Sequence, residues 1–197
     1  MLDIPRLVAY LLVMSITPGP NNVMVTASGA AFGYRATLPH VLGIGVGASL
    51  QTVLVCSGLG AVFVRYPILH AALAWAGALY LVYLAWQLAR SGEVSSVRAA
   101  RPMTFVGAAL FQAINPKAWV MAITTAAVFL PRAGIMPTMI LIVGLTFLMI
   151  NIPCVSVWAL FGSAMRRALA RPGYRRAFNL TMSALLVLTA IAGVRGH

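Results

Sequence analysis

Two short polar segments interrupt apolar stretches that are otherwise long enough to be membrane helices. The first is residues 15–22, Ser-Ile-Thr-Pro-Gly-Pro-Asn-Asn, within an apolar stretch from Ile4 to Phe32. Because proline lacks a backbone donor and glycine tolerates any φ, the Pro-Gly-Pro sequence cannot continue a helix. About ten residues on each side give roughly 15 Å of helix apiece, so the break falls near the middle of a bilayer core of about 30 Å. Lipid cannot hydrogen-bond the freed backbone groups, so this break must line a cavity or be buried in protein.

The second polar segment is residues 112–117, Gln-Ala-Ile-Asn-Pro-Lys, within a stretch from Thr104 to Leu130. Pro20 and Pro116 each stand where a new half-helix would begin, a position that suits proline. The N-terminus of such a half-helix offers free N–H groups and about half a positive elementary charge. Interrupted helices at corresponding positions in two halves of a chain indicate a transporter's substrate site. The side chains available to cap the half-helices are Asn21, Asn22 and Asn115.

Lys117, the only lysine of the chain, lies in the first turn of the second half-helix. A cation there adds to the positive end of the helix dipole, and a charge at mid-membrane costs about 2.5–3.5 kcal/mol. An arriving anion would explain this placement, and a substrate carboxylate is the natural candidate. The alternative is that Lys117 faces a water-filled vestibule and has no role in substrate binding.

Uncharged polar side chains within the apolar stretches are further candidates. Gln51, Gln112 and Asn151 could bind a substrate amine or hydroxyl, although such groups often only join helices, for about 0.6 kcal/mol. His40 titrates near neutral pH and could relay protons, or could be an interfacial histidine without a task. The predicted substrate-binding residues are Thr17, Pro18, Gly19, Pro20, Asn21, Asn22, Gln51, Gln112, Asn115, Pro116, Lys117 and Asn151.

The composition is that of a polytopic membrane protein that crosses a lipid bilayer. Of the 197 residues, 61% are hydrophobic and 8% are charged, whereas a soluble domain carries roughly a quarter charged residues. The net charge of +12 would suit nucleic acid, but the arginines lie between apolar spans, which is the pattern that sets membrane orientation. No acidic residue lies inside a span and the histidines are scattered, so we expect no enzyme, metal site or cofactor.

We predict an all-α domain, residues 1–197, with six transmembrane helices, of which helices 1 and 4 are broken at mid-membrane. Three helices per half require two inverted repeats, about residues 1–90 and 104–197, joined by a linker at about 90–103. Nine arginines fall in the loops after helices 1, 3 and 5, so this side is cytoplasmic and both termini are periplasmic. The Gly43-xxx-Gly47 spacing predicts close approach to another helix. The predicted helices are Ile4–Phe32, Thr37–Val64, Ile68–Leu88, Thr104–Leu130, Ile135–Met165 and Ala177–Val194.

Several motifs, in order, cover the chain nearly end to end. They are residues 17–22 (Thr-Pro-Gly-Pro-Asn-Asn), 33–43 (Gly-Tyr-Arg, then Leu-Pro-His-x-x-Gly), 75–81 (Trp-Ala-Gly-Ala-x-Tyr-Leu) and 115–117 (Asn-Pro-Lys). In this combination the chain resembles the six-helix amino-acid exporters of the lysine and homoserine/threonine exporter superfamily. Residues 151–159 look most like exporters of cysteine and O-acetylserine. Many members carry an acidic residue in helix 5 where this chain has Asn151, so the resemblance supplies no carboxylate proton carrier here.

The resemblance implies export of small, neutral amino acids or their derivatives across the bacterial inner membrane, driven by the proton motive force. The implied partners are the amino acid and the lipid bilayer, with a homodimer left open. One alternative is an uncoupled amino-acid channel or uniporter that uses the same breaks. The other is a membrane scaffold that does not transport and binds anionic lipid through the arginines of residues 166–176.

Overall fold

The computed structural model describes residues 2–59, 65–90, 101–131 and 136–195. Throughout these ranges the chain is helical and contains no strand, as predicted. Three predicted features lie outside the described residues: the end of the second helix at Val64, most of the linker, and the first residue of the fifth helix, Ile135.

The first predicted helix is two helices, α1 (Ile4–Ile16) and α2 (Pro20–Phe32). Between them, Thr17 and Gly19 have extended backbone, with φ of −65° and −174°. Pro20 takes the first position of α2, where its missing N–H leaves no helical hydrogen bond unmade. The predicted break is therefore confirmed as a feature of the backbone.

The next helices are α3 (Tyr34–Leu54), continued by a π-helical segment (Val55–Leu59), and α4 (Pro67–Arg90). The α3 helix corresponds to the second predicted helix. Its predicted start at Thr37 was wrong, because Gly33 alone separates α2 from α3. Gly33 has a φ of +85°, which favours glycine, and its N–H donates to Gly29 O at 2.8 Å. Pro39 lies inside α3 and does not start it.

The fourth predicted helix is broken as expected. It consists of α5 (Phe105–Phe111), a 3₁₀ turn (Gln112–Ile114), α6 (Pro116–Thr124) and a π-helical segment (Thr125–Phe129). The N-cap of α5 is Thr104, whose hydroxyl oxygen accepts from Gly107 N at 3.1 Å.

Two long helices complete the described chain, α7 (Pro137–Met165) and α8 (Pro172–Arg195). The α7 helix continues through Pro153, and a short 3₁₀ turn (Ala168–Ala170) precedes α8. The last helix begins five residues before the predicted Ala177, because Pro172 starts it.

The helices pack in a small set of pairs. The α7 helix packs against α1, α2 and α3; α3 also packs against α5 and α6, and α4 packs against α8. At the α3–α5 contact, a Cβ on Gly47 would lie 2.6 Å from the Ala109 carbonyl oxygen, and one on Gly43 would collide with Phe105 O. The predicted close approach at these glycines is confirmed. Gly29 and Gly162 serve in the same way where α2 meets α7.

Polar side chains lie inside the molecule and apolar ones cover much of its surface. Gln112 and Asn115 are each 1% exposed, whereas Leu110 is 69% exposed and Leu79 is 67% exposed. In the described residues, three continuous helices are long and apolar enough to cross a membrane: Tyr34–Leu59, Ala71–Arg90 and Pro137–Met165. This distribution is that of a protein whose outer surface contacts lipid.

Candidate functional site

The two breaks meet at a reciprocal pair of carboxamides. Asn21 Nδ2 donates to Gln112 Oε1 at 3.0 Å, and Gln112 Nε2 donates to Asn21 Oδ1 at 3.2 Å. Asn115 Nδ2 also donates to Gln112 Oε1, at 3.1 Å. The first break is therefore joined directly to a segment 91 residues away in the chain.

The carbonyl groups at the end of α1 are hydrogen-bonded by side chains. Asn22 Nδ2 donates to Ser15 O at 3.0 Å and to Thr17 O at 2.7 Å. Trp158 Nε1, from α7, donates to Ile16 O at 2.9 Å. These bonds replace the intrahelical partners that the break removes.

The capping prediction was right for one asparagine and wrong for the other two. Asn115 caps α6, since its Oδ1 accepts from Lys117 N at 3.1 Å. The N-cap of α2 is instead Gly19, and no side chain bonds there. Asn21 and Asn22 lie one and two residues beyond Pro20, where Asn22 reaches back to α1 and Asn21 reaches across to the second break.

Lys117 crosses the gap between the two breaks. Its Nζ donates to Thr17 O at 2.7 Å, to Thr17 Oγ1 at 3.0 Å and to Pro18 O at 3.3 Å. Lys117 lies in the first turn of α6, at the positive end of this helix, as the sequence predicted. The ammonium group reaches the C-terminal end of α1, the negative end of that helix's dipole.

Gly19 is what allows Lys117 to pass. A Cβ at this position would lie 2.7 Å from Lys117 Cδ and 3.1 Å from Nζ. Since the Gly19 backbone is extended, any residue could adopt its conformation, and only the space beside Lys117 requires glycine.

A cavity lies between the two breaks and α7. It offers about 20 Å³ to the centre of a water-sized sphere, which is room for one water molecule. An amino acid needs a wider site, so this conformation is closed. The polar side chains that line the cavity are Ser15, Asn21, Asn22, Asn115, Lys117 and Asn151.

Asn151 is the contribution of α7 to this cavity and is 5% exposed. Its Nδ2 donates to Ser15 Oγ at 3.2 Å. Its Oδ1 is buried and has no hydrogen-bond partner among the described residues. Buried acceptors without a partner are rare in folded proteins, so this oxygen makes Asn151 a candidate for ligand contact once the cavity opens.

The structure brings most of the predicted substrate-binding residues to this cavity, but not all. Thr17 and Pro18 contact Lys117, whereas Gln112 lies behind the cavity wall. Gln51 is also outside the lining. In the amide orientation that satisfies both partners, it donates to Gln112 O at 3.0 Å and accepts from Trp119 Nε1 at 3.2 Å. The predicted residues that line the cavity are Gly19, Pro20, Asn21, Asn22, Asn115, Lys117 and Asn151, and those that do not are Thr17, Pro18, Gln51, Gln112 and Pro116.

Three further residues differ from the sequence analysis. The sequence analysis left His40 as either a proton relay or an interfacial residue without a functional role. It is not interfacial in the structure, since it is 2% exposed, and it does not line this cavity. Ser15 and Trp158 were missed as site residues, although both bond the first break. The sequence contained a signal for each residue. Ser15 belongs to the first polar segment, and Trp158 has an indole donor within an apolar helix.

A known family of translocators matches nearly the whole chain. Residues 12–195 match the LysE type translocators. The chain belongs to this family. It is 31% identical over 186 residues to the cysteine/O-acetylserine efflux protein of Escherichia coli K12, with 92% of each chain covered. It is 30% identical over 192 residues to the cysteine/O-acetylserine efflux protein of Klebsiella pneumoniae, with 95% of each covered.

No solved structure matches the chain. The family match confirms the resemblance predicted from the motifs, and it also confirms that the chain is a transporter and not an enzyme. Together with the apolar helices, it points to a bacterial membrane protein.

Proposed function

We propose that this LysE family member exports small, neutral amino acids or derivatives, of the cysteine/O-acetylserine or homoserine/threonine type, from the cytoplasm. Export crosses the bacterial inner membrane and is driven by the proton motive force. The names of the relatives support the substrate class, and the family match supports export.

The main support for the proposal is that two residues with complementary roles, Lys117 and Asn151, line the same cavity. Lys117 offers a cation to a carboxylate, and Asn151 Oδ1 offers a buried, unpaired acceptor to an ammonium group. A zwitterionic amino acid has both complementary groups. Because Asn151 carries no charge, it can accept a hydrogen bond from the ammonium group of any amino acid but cannot neutralise a second positive charge. The cavity therefore suits a neutral amino acid better than a cationic one.

Substrate binding is coupled to the first break through Lys117. All three ammonium donors point to acceptors on Thr17 and Pro18, so a carboxylate must displace at least one of these bonds. The displaced acceptor on Thr17 or Pro18 then loses its bond to the ammonium group. We expect the first break to rearrange when the substrate arrives, so that the cavity widens and access alternates.

Helix packing supports two inverted repeats that exchange α1–α2 with α5–α6, α3 with α7, and α4 with α8. Under this exchange, the packing of α7 against α1 and α2 corresponds to the packing of α3 against α5 and α6. Both sets of contacts are present in the structure. The exchange maps the α3–α7 and α4–α8 contacts onto themselves. With the nine-arginine side in the cytoplasm, both termini are periplasmic.

Reconstitution in liposomes tests the function. With an imposed pH gradient, labelled cysteine, O-acetylserine, threonine and homoserine are followed across the membrane. Uptake that depends on the gradient supports proton-coupled export. Uptake that ignores the gradient identifies a uniporter, and no uptake of any solute leaves the lipid-binding scaffold.

Lys117→Met tests the site in the same assay. We expect transport to fall about a hundredfold or more, because charge-assisted hydrogen bonds to the substrate are lost. Arg90→Met is the matched control, since Arg90 lies at the exposed end of α4, stacked at 4.5 Å on Trp86. Normal transport by Lys117→Met would remove Lys117 from the substrate site.

A further inference from the structure

The cavity between the breaks has an apolar side that the binding of a carboxylate and an ammonium group does not use. Besides Gly19 and Pro20 of the first break, its apolar lining residues are Met14, Ala48, Ala118, Met121, Phe147 and Val155. In an amino acid, the carboxylate, the ammonium group and the side chain are all bonded to the same carbon atom. Once Lys117 and Asn151 hold the first two groups, the side chain must leave that carbon in a third direction.

Helix periodicity places an apolar residue one turn away from each of the two binding groups. Met121 follows Lys117 by four residues on α6, and Phe147 precedes Asn151 by four residues on α7. Residues four apart share a helix face, with Cβ atoms about 5–6 Å apart. A short amino-acid side chain spans a comparable length. The cargo side chain can therefore reach Met121 and Phe147 while its polar groups stay at Lys117 and Asn151.

Both residues belong to the same hydrophobic cluster. Met121, Phe147 and Ala48 of α3 are buried members of this cluster, and Met14 packs against it. Leu11 is a further member, so the cluster extends along α1 away from the first break. The cavity is therefore polar at the breaks and apolar at the end that this cluster borders.

We propose that Met14, Ala48, Met121 and Phe147 form the subsite for the cargo side chain and select apolar side chains of limited length. Methionine sulfur is a weak acceptor and a phenyl ring has no donor, so a cargo hydroxyl would lose its hydrogen bonds to water without replacement. A thiol behaves as a small hydrophobe. Since the four residues are part of a packed cluster, the space beyond them is filled, which limits the length of the side chain.

This inference rests on the proposed function, since it assigns the third group of the same cargo. It narrows that cargo to the cysteine/O-acetylserine type and disfavours the homoserine/threonine type, whose side chains end in or carry a hydroxyl. It also extends the cargo to amino acids that have only an alkyl side chain of similar length.

Competition for transport by the wild-type protein tests the subsite, in liposomes with labelled O-acetylserine. Homoserine and norvaline are matched competitors, because their side chains have the same length and one ends in a hydroxyl where the other ends in a methyl group. We expect norvaline to compete roughly tenfold better, since its methyl group needs no hydrogen-bond partner. Equal competition, or better competition by homoserine, would overturn the subsite.

Met121→Gln should remove this preference. The two side chains have similar length, and the carboxamide offers a donor and an acceptor to a cargo hydroxyl. We expect homoserine to compete as well as norvaline or better. Met121→Leu is the matched control, since it keeps the wall apolar and should keep the preference for norvaline. A loss of stability would lower all transport without changing the ratio of the two competitors, so an unchanged ratio in Met121→Gln would overturn the subsite.

Ala48→Val tests the limit on length. Two added methyl groups narrow the subsite, and we expect transport of O-acetylserine to fall roughly tenfold relative to transport of cysteine, whose side chain is shorter. Ala118→Val makes the same change at a cavity residue that is outside this cluster in the described chain, and it should leave the ratio unchanged. The same shift in both variants would contradict the assignment of the subsite.

The outcomes separate the subsite from the proposed function. Transport by the wild type without a preference for norvaline would overturn the subsite and leave the proposed function standing. No transport of any solute by the wild type would overturn both. If Met121→Gln and Ala48→Val do not fold, the competition between homoserine and norvaline in the wild type decides alone.

Discussion

At the first break, the carbonyl groups are bonded by side chains from within the segment and from two other helices, whereas the second break makes most of its own bonds. Asn22 bonds Ser15 O and Thr17 O from within the segment. Trp158 and Lys117, which also bond the first break, come from α7 and α6. At the second break, Asn115 N donates to Gln112 O at 3.2 Å, and the Asn115 side chain caps the helix that follows. The first break therefore depends more on tertiary contacts than the second.

The surroundings of the two breaks also differ, because a helix packs on the second break and a cavity lies beside the first. A Cβ on Gly77 of α4 would collide with Ile114 O, so α4 packs directly on the second break. The first break faces the cavity and Lys117 across Gly19. We infer that the first break is the part that rearranges with substrate and that the second is the fixed part against which it moves.

Among the variants that test this comparison, Gly19→Ala should have the largest effect on transport. The new methyl group would lie 2.7 Å from Lys117 Cδ, so the end of the lysine side chain must shift away from Thr17 and Pro18. We expect transport in liposomes to fall about thirtyfold, equivalent to about 2 kcal/mol. Gly173→Ala, where a Cβ meets nothing within 4 Å, is the control. Wild-type transport by Gly19→Ala would show that Lys117 need not cross the first break.

Gly77→Ala tests whether the second break is fixed. The methyl group would have to push α4 away from Ile114 O, and overpacking of this kind destabilises by about 1–3 kcal/mol. We expect a lower melting temperature in detergent. The same Gly173→Ala variant controls for adding a methyl group, and an unchanged melting temperature for Gly77→Ala would mean that α4 does not restrain this break.

Asn22→Ala and Asn115→Ala compare the two breaks directly. Asn22→Ala leaves the buried Ser15 carbonyl without that partner, at about 1–3 kcal/mol, whereas loss of an N-cap costs about 1 kcal/mol. The first variant should therefore have the lower melting temperature. The reverse order would mean that the helix cap of the second break contributes more to stability than the Asn22 bonds of the first.

The smallest expected effect concerns the bond that joins the breaks. A double-mutant cycle with Asn21→Ala and Gln112→Ala should give a coupling free energy of about 0.6 kcal/mol, typical of interhelical polar pairs in membranes. Thermal unfolding of the four proteins measures it. A coupling of zero would mean that this carboxamide pair does not contribute to the stability of the two breaks.

The breaks themselves could be predicted from the sequence because their cause is local. Proline has no N–H and a fixed φ, and each break adds a glycine or a capping asparagine beside its proline, so residues 17–20 and 115–116 interrupt the helix. Pro39 does not interrupt α3, which starts at Tyr34 and not at the predicted Thr37. There the proline removes one bond, to the carbonyl of Arg35, which lies at the exposed end of the helix.

Hydrogen-bond partners across the molecule could not be predicted in this way. The sequence shows one lysine beside a break, but its ammonium could have faced substrate, water or another helix. Folding brings α1 within reach, and the free carbonyls at its end attract the cation at 2.7 Å. His40 is the same case, since its position near a helix start suggested the surface, and only the packing of neighbouring helices buries it. Backbone chemistry acts between adjacent residues and is readable along the chain, whereas burial and charge pairing depend on which helices meet.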